Sequence, residues 1–414
     1  MRLYAFQGIY YAPKAGRSEE LAAPPYDQID DRARDELHAR SPFQIAHLTR
    51  PVSGDTTDPY QHAAVLHQRW LEEGALTEEP DPTFYLNLIE LAGGGQRLGL
   101  CGLVGLEAPD SGVIRPHEET LEKPLADRLA LLQAMRVDLE PVLLLSDDEG
   151  TLDRMLAEDL AHGPDLIAGP YSDADGNRHS MYRLRDPDRG ARYQQILARV
   201  PSVIADGHHR YKVASLFAAE VGAAQDTAAA AKLAIITSLA SPTLGIEPIH
   251  RGIARKLDPT RVAELEIERA TWTGENGEAF AAAVAEAEQP ALGVFLQGEP
   301  PEIWQIGSLV SESRRSRSAA QLPVVVLHDL ILSRLGIDER TALGGQVAYR
   351  SEPEALWESV LEGSLSAGFF LPPMSPRRFA EATADGDLLP PKSTRFLPKV
   401  VSGLVWARHD SRLA

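Results

Sequence analysis

A chain of 414 residues with 43% hydrophobic content has core enough for two domains or one large two-lobed one. Its 41 basic against 60 acidic residues give a formal charge of −19, and no Lys/Arg-rich run with interleaved aromatics occurs, which argues against general nucleic-acid binding. Cys101 is the only cysteine, which excludes an intramolecular disulfide and a thiolate metal cluster.

Met1-Arg-Leu-Tyr-Ala-Phe6 does not read as a signal peptide, and no apolar stretch reaches membrane-spanning length. A cytoplasmic protein without membrane contact is expected. Residues 3–11 read as a strand. In Leu21-Ala-Ala-Pro-Pro-Tyr-Asp27 two prolines fix the backbone and carry Tyr26 and Asp27 on a rigid loop. Such a loop suits a side chain that must be held still, and equally a plain chain reversal. A helix is expected over 30–40, a strand over 43–48 with His47 in it, and a helix over 58–73 ending at Gly74. Strands 84–91 and 97–107 joined by Gly93-Gly-Gly95 form a hairpin. Cys101 lies in the second of these and reads as a buried small hydrophobe.

Residues 115–129 are dense in polar groups: His117, Glu118, Lys123, Asp127 and Arg128 stand on a loop framed by prolines, with Asp127 and Arg128 opening an apolar helix. Phosphoryl transfer needs such a mixture, a carboxylate for base or metal and cations for developing charge. A surface loop with a salt-bridged helix start reads the same way. Next come a buried strand over 141–145, a helix over 151–162, a strand over 179–184 and a helix over 190–199. The polar turn 172–178 begins like a calcium loop but lacks its length and its glutamate, so calcium is rejected.

Residues 200–214 carry the most concentrated chemistry. Val203, Ile204 and Ala205 suit a buried strand, Asp206-Gly207 breaks it, and Val213, Leu216, Phe217 and Val221 follow at helical spacing. Asp206 is expected as N-cap. A helix start can hold an anion through its backbone N–H groups and dipole, and Gly207 lets a phosphate approach. Arg210 can add a bidentate contact, while His208 and His209 can donate hydrogen bonds or move protons. The stretch is read as a phosphate site with acid/base groups beside it. Adjacent histidines on a helical turn point about 100° apart and rarely share an ion, so no metal-ligand residues are assigned.

A strand over 233–239 is expected beside strand 203–205, its exit loop running to Pro248-Ile-His250-Arg251. The alanine-rich 227–231 reads as helix. Beyond about 255, helices over 275–287, 323–335 and 353–362 alternate with strands over 292–296, 302–307 and 366–371. Pro390 to Lys399 sets Lys392, Ser393, Thr394 and Lys399 between prolines, a rigid loop able to contact phosphate or a solvated tail. No P-loop, Gly-x-Gly-x-x-Gly after a strand, nucleophile elbow or His-Glu-x-x-His is present.

Together Ala23-Pro-Pro-Tyr-Asp27, Arg40-Ser-Pro-Phe43, Pro116-His-Glu-Glu-Thr120 with Asp127-Arg-Leu129, Ala205-Asp-Gly-His-His-Arg-Tyr211, Pro248-Ile-His-Arg251, and Pro391-Lys-Ser-Thr394 with Pro398-Lys399 resemble the bacterial and archaeal family catalogued as domain of unknown function 1015. The pieces span nearly the whole chain in family order. Arg395-Phe-Leu departs from the aromatic expected after the threonine. The Asp206–Arg210 turn also resembles the phosphate turn of the ParB/sulfiredoxin-like fold, which includes nucleotide hydrolases, a sulfiredoxin and free-serine kinases. The sulfiredoxin's catalytic cysteine has no counterpart, a histidine (His208 or His209) standing in its place.

That resemblance implies ATP or ADP held by Gly207, His208, His209 and Arg210. The expected protein is a mixed α and β (α+β) chain of two lobes, 1–255 bearing the site and 256–414 returning its Lys-Ser-Thr loop. The expected activity is a nucleotide-dependent phosphotransferase acting on a small hydroxylated metabolite, with an amino acid such as serine in view. Glu118, Asp27 or Asp127 would take the hydroxyl proton or hold Mg²⁺, with His117 and His209 as further acid/base groups. Asp206, Lys123, Arg128, His250, Arg251, Lys392, Ser393, Thr394 and Lys399 would surround the nucleotide. A hydrolase using the same residues, and a nucleotide-binding regulator without turnover, stay open, as does a homodimer.

Overall fold

The computed structural model describes residues 1–53, 58–108, 110–118, 122–337 and 346–413, the side chains of 122–124 excepted. Its contacts divide into two units: Met1–Pro116, Thr120–Leu244 and Pro398–Ala414 form the first, His117–Glu119 and Gly245–Leu397 the second. The division falls at Leu244, ahead of the expected 255. The closing segment rejoins the first unit because Arg97 donates to the Pro398 carbonyl and Ala407–Arg408 pairs with Val137–Asp138.

The architecture is mixed α and β. Among the described residues the first unit has a sheet of nine strands: β1 Leu3–Tyr4, β2 Phe84–Glu90, β3 Gln96–Gly105, β4 Ile114–Arg115, β5 Val142–Ser146, β6 Asp165–Ser172, β7 Arg178–Leu184, β8 Ser202–Asp206 and β9 Ala231–Ser238. Their order is β4-β8-β5-β9-β3-β2-β7-β6, with β1 on β3. β5 runs parallel to β9 and antiparallel to β8. β5 therefore lies between the two strands expected to be neighbours. Leu86, Leu100, Val142, Leu144, Ile204, Ala234 and Ile236 are buried in its core with Leu152 and Leu156 of the helix Thr151–Ala161. Each leucine, isoleucine or valine among these contributes roughly 1.5–3 kcal/mol on burial. Cys101 is buried in β3, and burial pushes its thiol up.

The second unit has an antiparallel sheet, β10 His250–Ile253, β11 Glu268–Thr271, β12 Ala291–Leu296, β13 Glu302–Gln305, β14 Val347–Arg350 and β15 Ala367–Phe370, in the order β11-β13-β12-β15-β10-β14. β10 pairs with β14 on one edge and β15 on the other, which draws His250 and Arg251 into this unit. The helices Gly277–Glu286 and Pro353–Leu361 supply Phe280, Val284, Leu356 and Trp357 to its core.

Four local readings change: residues 3–11 form not one strand but two, Leu3–Tyr4 in the nine-stranded sheet and Ile9–Tyr11 paired with Leu76–Glu78. Residues 43–48 are not a strand: the Gln44 side chain accepts from Ala46 N–H and donates to the Ala22 carbonyl at 2.8 Å, starting the short helix Ala46–Thr49. The alanine run makes one tight turn, Ala228–Ala230, before β9. The helix expected over 323–335 starts as Pro323–Val326 and widens to a π turn over Leu327–Leu332.

Candidate functional site

β8 ends at Asp206, and Gly207 turns the chain with φ +92° into the helix His208–Glu220. Left-handed backbone favours glycine, and a Cβ here would also meet Arg210 Nε and Val142 Cγ1 at 3.0 Å. Gly207, not Asp206, is therefore the cap residue. The Asp206 carboxylate is used otherwise: it accepts from the Arg210 guanidinium and from the Lys399 ammonium. Arg210 also donates to the Pro141 carbonyl. Burial would raise the Asp206 carboxyl, but Lys399 and Arg210 outweigh it and hold it below the usual carboxylate range. Burial works against the Arg210 charge as well, and Asp206, Glu140 and Asp27 overcome it. Arg210, expected to face a phosphate, is thus turned inward, because a buried guanidinium is stable only with acids and carbonyls around it.

Sequence reasoning missed the acids behind the turn. Lys232 donates to Asp138 and, at 2.8 Å, to the Glu140 carbonyl. Burial lowers the Lys232 ammonium, with Asp138 opposing. Glu140 Oε1 accepts the Tyr26 N–H at 3.0 Å and the Ser402 hydroxyl at 2.7 Å. Arg128, Asp138, Glu140, Arg210 and Lys232 line a cavity of about 50 Å³. The signal in the sequence was Val137-Asp-Leu-Glu140, acids alternating with apolar residues just ahead of a buried strand.

Asp127 and Arg128 sit in the second turn of the helix Glu122–Met135, not at its start. Arg128 lies over the Tyr26 ring at 4.3 Å and donates to Asp127 and to the Thr49 carbonyl, both at 2.7 Å. The Tyr60 hydroxyl donates to Asp127 at 2.8 Å. Burial would raise the Asp127 carboxyl, and Arg128 with Tyr60 brings it below its ordinary value. Burial pushes the Tyr26 hydroxyl up to about 12 against the field of Arg128. Asp27 is exposed. Burial lowers His209, with Asp27 opposing, so the imidazole is neutral at pH 7. Lys123 belongs to the first turn of the same helix, and its side chain lies outside the described residues.

In the second unit a His117 ring nitrogen and the Thr394 hydroxyl are hydrogen-bonded at 2.8 Å, and Glu118 accepts the Lys392 N–H at 2.8 Å. Lys392 has φ +54°, a left-handed conformation costly for a side chain of its kind. Arg251, fully buried, donates to the Pro391 and Lys392 carbonyls at 3.0 and 3.1 Å and to a His328 ring nitrogen at 2.9 Å. Burial lowers Arg251 to about 10, with Tyr349 and Glu118 opposing. His250 Nδ1 accepts the Leu371 N–H, and burial with Arg251 lowers that imidazole to about 4. Ser393 is buried and donates to the Pro390 carbonyl. Arg251 and Ser393, expected around a nucleotide, thus hold the Pro390–Thr394 loop in shape, while His250 binds the backbone of Leu371.

The fold and the turn define a mixed α/β protein with a strand–glycine–helix turn edged by a carboxylate, a neutral imidazole and an ammonium. The chain belongs to the family described as Protein of unknown function (DUF1015), whose model matches residues 3–308. A search of curated proteins finds no match. Among solved structures it is similar to one titled free serine kinase in complex with AMP, at 13% identity and TM-score 0.39, covering 73% of this chain and 91% of that one. It is similar to a conserved hypothetical protein from Pyrococcus furiosus, at 14% identity, TM-score 0.36, 73% and 94%. A third is SbnI with C-terminal truncation from Staphylococcus aureus, at 12% identity, TM-score 0.39, 73% and 87%. Among the described residues no helix is long and apolar enough to cross a membrane.

Proposed function

We propose that this chain is a nucleotide-dependent phosphotransferase acting on a small hydroxylated metabolite, with a free amino acid such as serine as the acceptor class. One observation carries the reading: left-handed Gly207 starts a helix whose first turn sets neutral His209 in the field of the exposed Asp27, while Lys399 reaches the same turn through Asp206. The likeness of this turn to the ParB/sulfiredoxin-like phosphate turn is part of the proposal.

ATP or ADP, when bound, supplies the phosphoryl group. The helix start and Lys399 hold its phosphates, and Lys399 keeps two N–H donors beyond the one on Asp206. His209 takes the proton from the acceptor hydroxyl, and Asp27 stabilises the imidazolium that results. Arg210 acts through Asp206, fixing the charge on which Lys399 rests. The Asp206 carboxylate already carries two cations and does not fit Mg²⁺.

The test is a calorimetric titration with ATP, ADP and a non-hydrolysable analogue in Mg²⁺, on the wild type and on Lys399→Ala. Binding weakened by the substitution supports the reading. A wild type that binds none of them overturns it. Phosphate release without an added hydroxyl acceptor would assign the same site to a hydrolase.

A further inference from the structure

The arginines beside the β6 edge of the sheet form a concentration of charge that the proposed chemistry does not use. Residues 178–199 hold six arginines against two aspartates, a local charge of +4 in a chain of −19. Three of them, Arg183, Arg185 and Arg189, line a cavity of about 350 Å³ in the first unit, together with Asp159, Asp165 and Asp186. That volume falls in the range of about 300–1,000 Å³ that small-molecule sites occupy. The cavity behind the turn has about 50 Å³, and no described residue of 200–214 lines the larger one.

Most of these charges are spent within the protein. Arg189, in the first turn of the helix Pro187–Leu197, meets Asp159 at 2.7 Å and Glu158 at 3.1 Å and donates to the Met155 carbonyl at 2.7 Å. Asp159 also accepts the Tyr193 hydroxyl, and Asp186 caps the helix by accepting the Asp188 and Arg189 N–H groups. Arg183 is held from behind by Glu79 and by the Tyr10 hydroxyl, both at 2.7 Å. Asp165 is bound differently. It stands opposite Arg183 across β6 and β7, and its carboxylate is shared by Arg183 at 3.4 Å and Arg185 at 2.8 Å. The two arginines are two residues apart, so an extended chain turns both to one face. The Asp165 and Arg185 side chains are 58% and 68% exposed, and water screens such a pair so well that an incoming anion replaces it at small cost. Planar guanidinium groups pair bidentately with carboxylate and phosphate oxygens, and Pro164 and Leu184 give an organic tail an apolar wall.

We propose that this cavity is a second binding site, for a small organic dianion, a phosphate monoester or a dicarboxylate, whose oxygens take the place of the Asp165 carboxylate on Arg183 and Arg185. The test is a calorimetric titration of the full chain without nucleotide, using glycerol 3-phosphate, succinate and, as the uncharged control, glycerol. The wild type should bind at least one of the two dianions and not glycerol, and the tighter dianion assigns the site to phosphate or to carboxylate. Arg185→Gln should weaken that binding about tenfold. Asp165→Asn removes the internal competitor and should tighten it about threefold. Both side chains are exposed, so neither substitution threatens the fold. Lys399→Ala should leave the affinity as it is. A wild type that binds neither dianion overturns the inference. So does an affinity that falls in Lys399→Ala and holds in Arg185→Gln, which would put the anion at the glycine turn, and so does an Asp165→Asn protein that binds no tighter than the wild type. The titrations contain no nucleotide, so a failed titration with ATP leaves their outcome standing, and the reverse also holds.

Discussion

Asp206 and Arg210, four residues apart across a glycine turn, form an ion pair inside the first unit, and Lys399 closes on the same carboxylate from the end of the chain. The pair sets the turn's electrostatics from behind. The half-buried His208 and His209 stand in the same turn.

Replacing Arg210 should act on stability before it acts on ligand. Arg210→Ala leaves a buried carboxylate with one cation in place of two and an unfilled Pro141 carbonyl. A loss of about 3–5 kcal/mol is expected, measured by denaturant unfolding. A stability within 1 kcal/mol of wild type would contradict the inward pairing.

Lys399→Ala should divide the two effects the other way. Its side chain is 21% exposed. Stability should fall by about 1 kcal/mol or less, while nucleotide affinity falls about tenfold in the calorimeter.

The Asp206 carboxyl is held below its ordinary range in the folded chain. Its stabilisation is fully present above the unfolded value near 4 and is lost as pH falls below that. Melting temperature should drop with pH below about 4 in the wild type, and the drop should be shallower in Asp206→Asn.

His250 and His328, at about 4 and about 3, titrate far below the ordinary histidine value because burial, helped by Arg251, disfavours their charged forms. The unfolded chain takes up those protons near 6.5, so the folded state loses stability as pH falls from there toward 4. Each contributes a slope of about 1.4 kcal/mol per pH unit. His328→Gln should flatten the pH dependence of the unfolding midpoint between 6 and 4.

Activity, once an acceptor is found, should rise with pH through the lowered His209 titration and then level. Asp27 opposes that lowering, so Asp27→Asn should move the rise to lower pH as well as slow the reaction. A pH–rate profile on the two proteins checks both.

Much of this was legible in the chain itself. The hairpin of β2 and β3, the buried Cys101 and the strand, glycine and helix at 203–220 follow from local periodicity and turn chemistry, which act over a few residues. Asp27, Asp127, Arg128, Asp206 and Lys399 were picked out as polar groups on stiff or capped segments, and all lie in the first unit. Asp138, Glu140 and Lys232 were passed over, since a lone acid beside an apolar run gives no sign of its partner. The place of β5 between β8 and β9 was equally hidden, because both orders bury the same apolar residues.

The sequence by itself determined that a strand would break at Asp206-Gly207 into a helix with two histidines and an arginine in its first turn. Only the tertiary structure decided which way that arginine faces. Its direction depends on Pro141 and on the charges of Glu140 and Asp27, 69 to 183 residues away, and on Lys399, 193 residues from Asp206. A buried charge takes its orientation from the acids that surround it, and those are brought together by the sheet, not by the spacing of the turn.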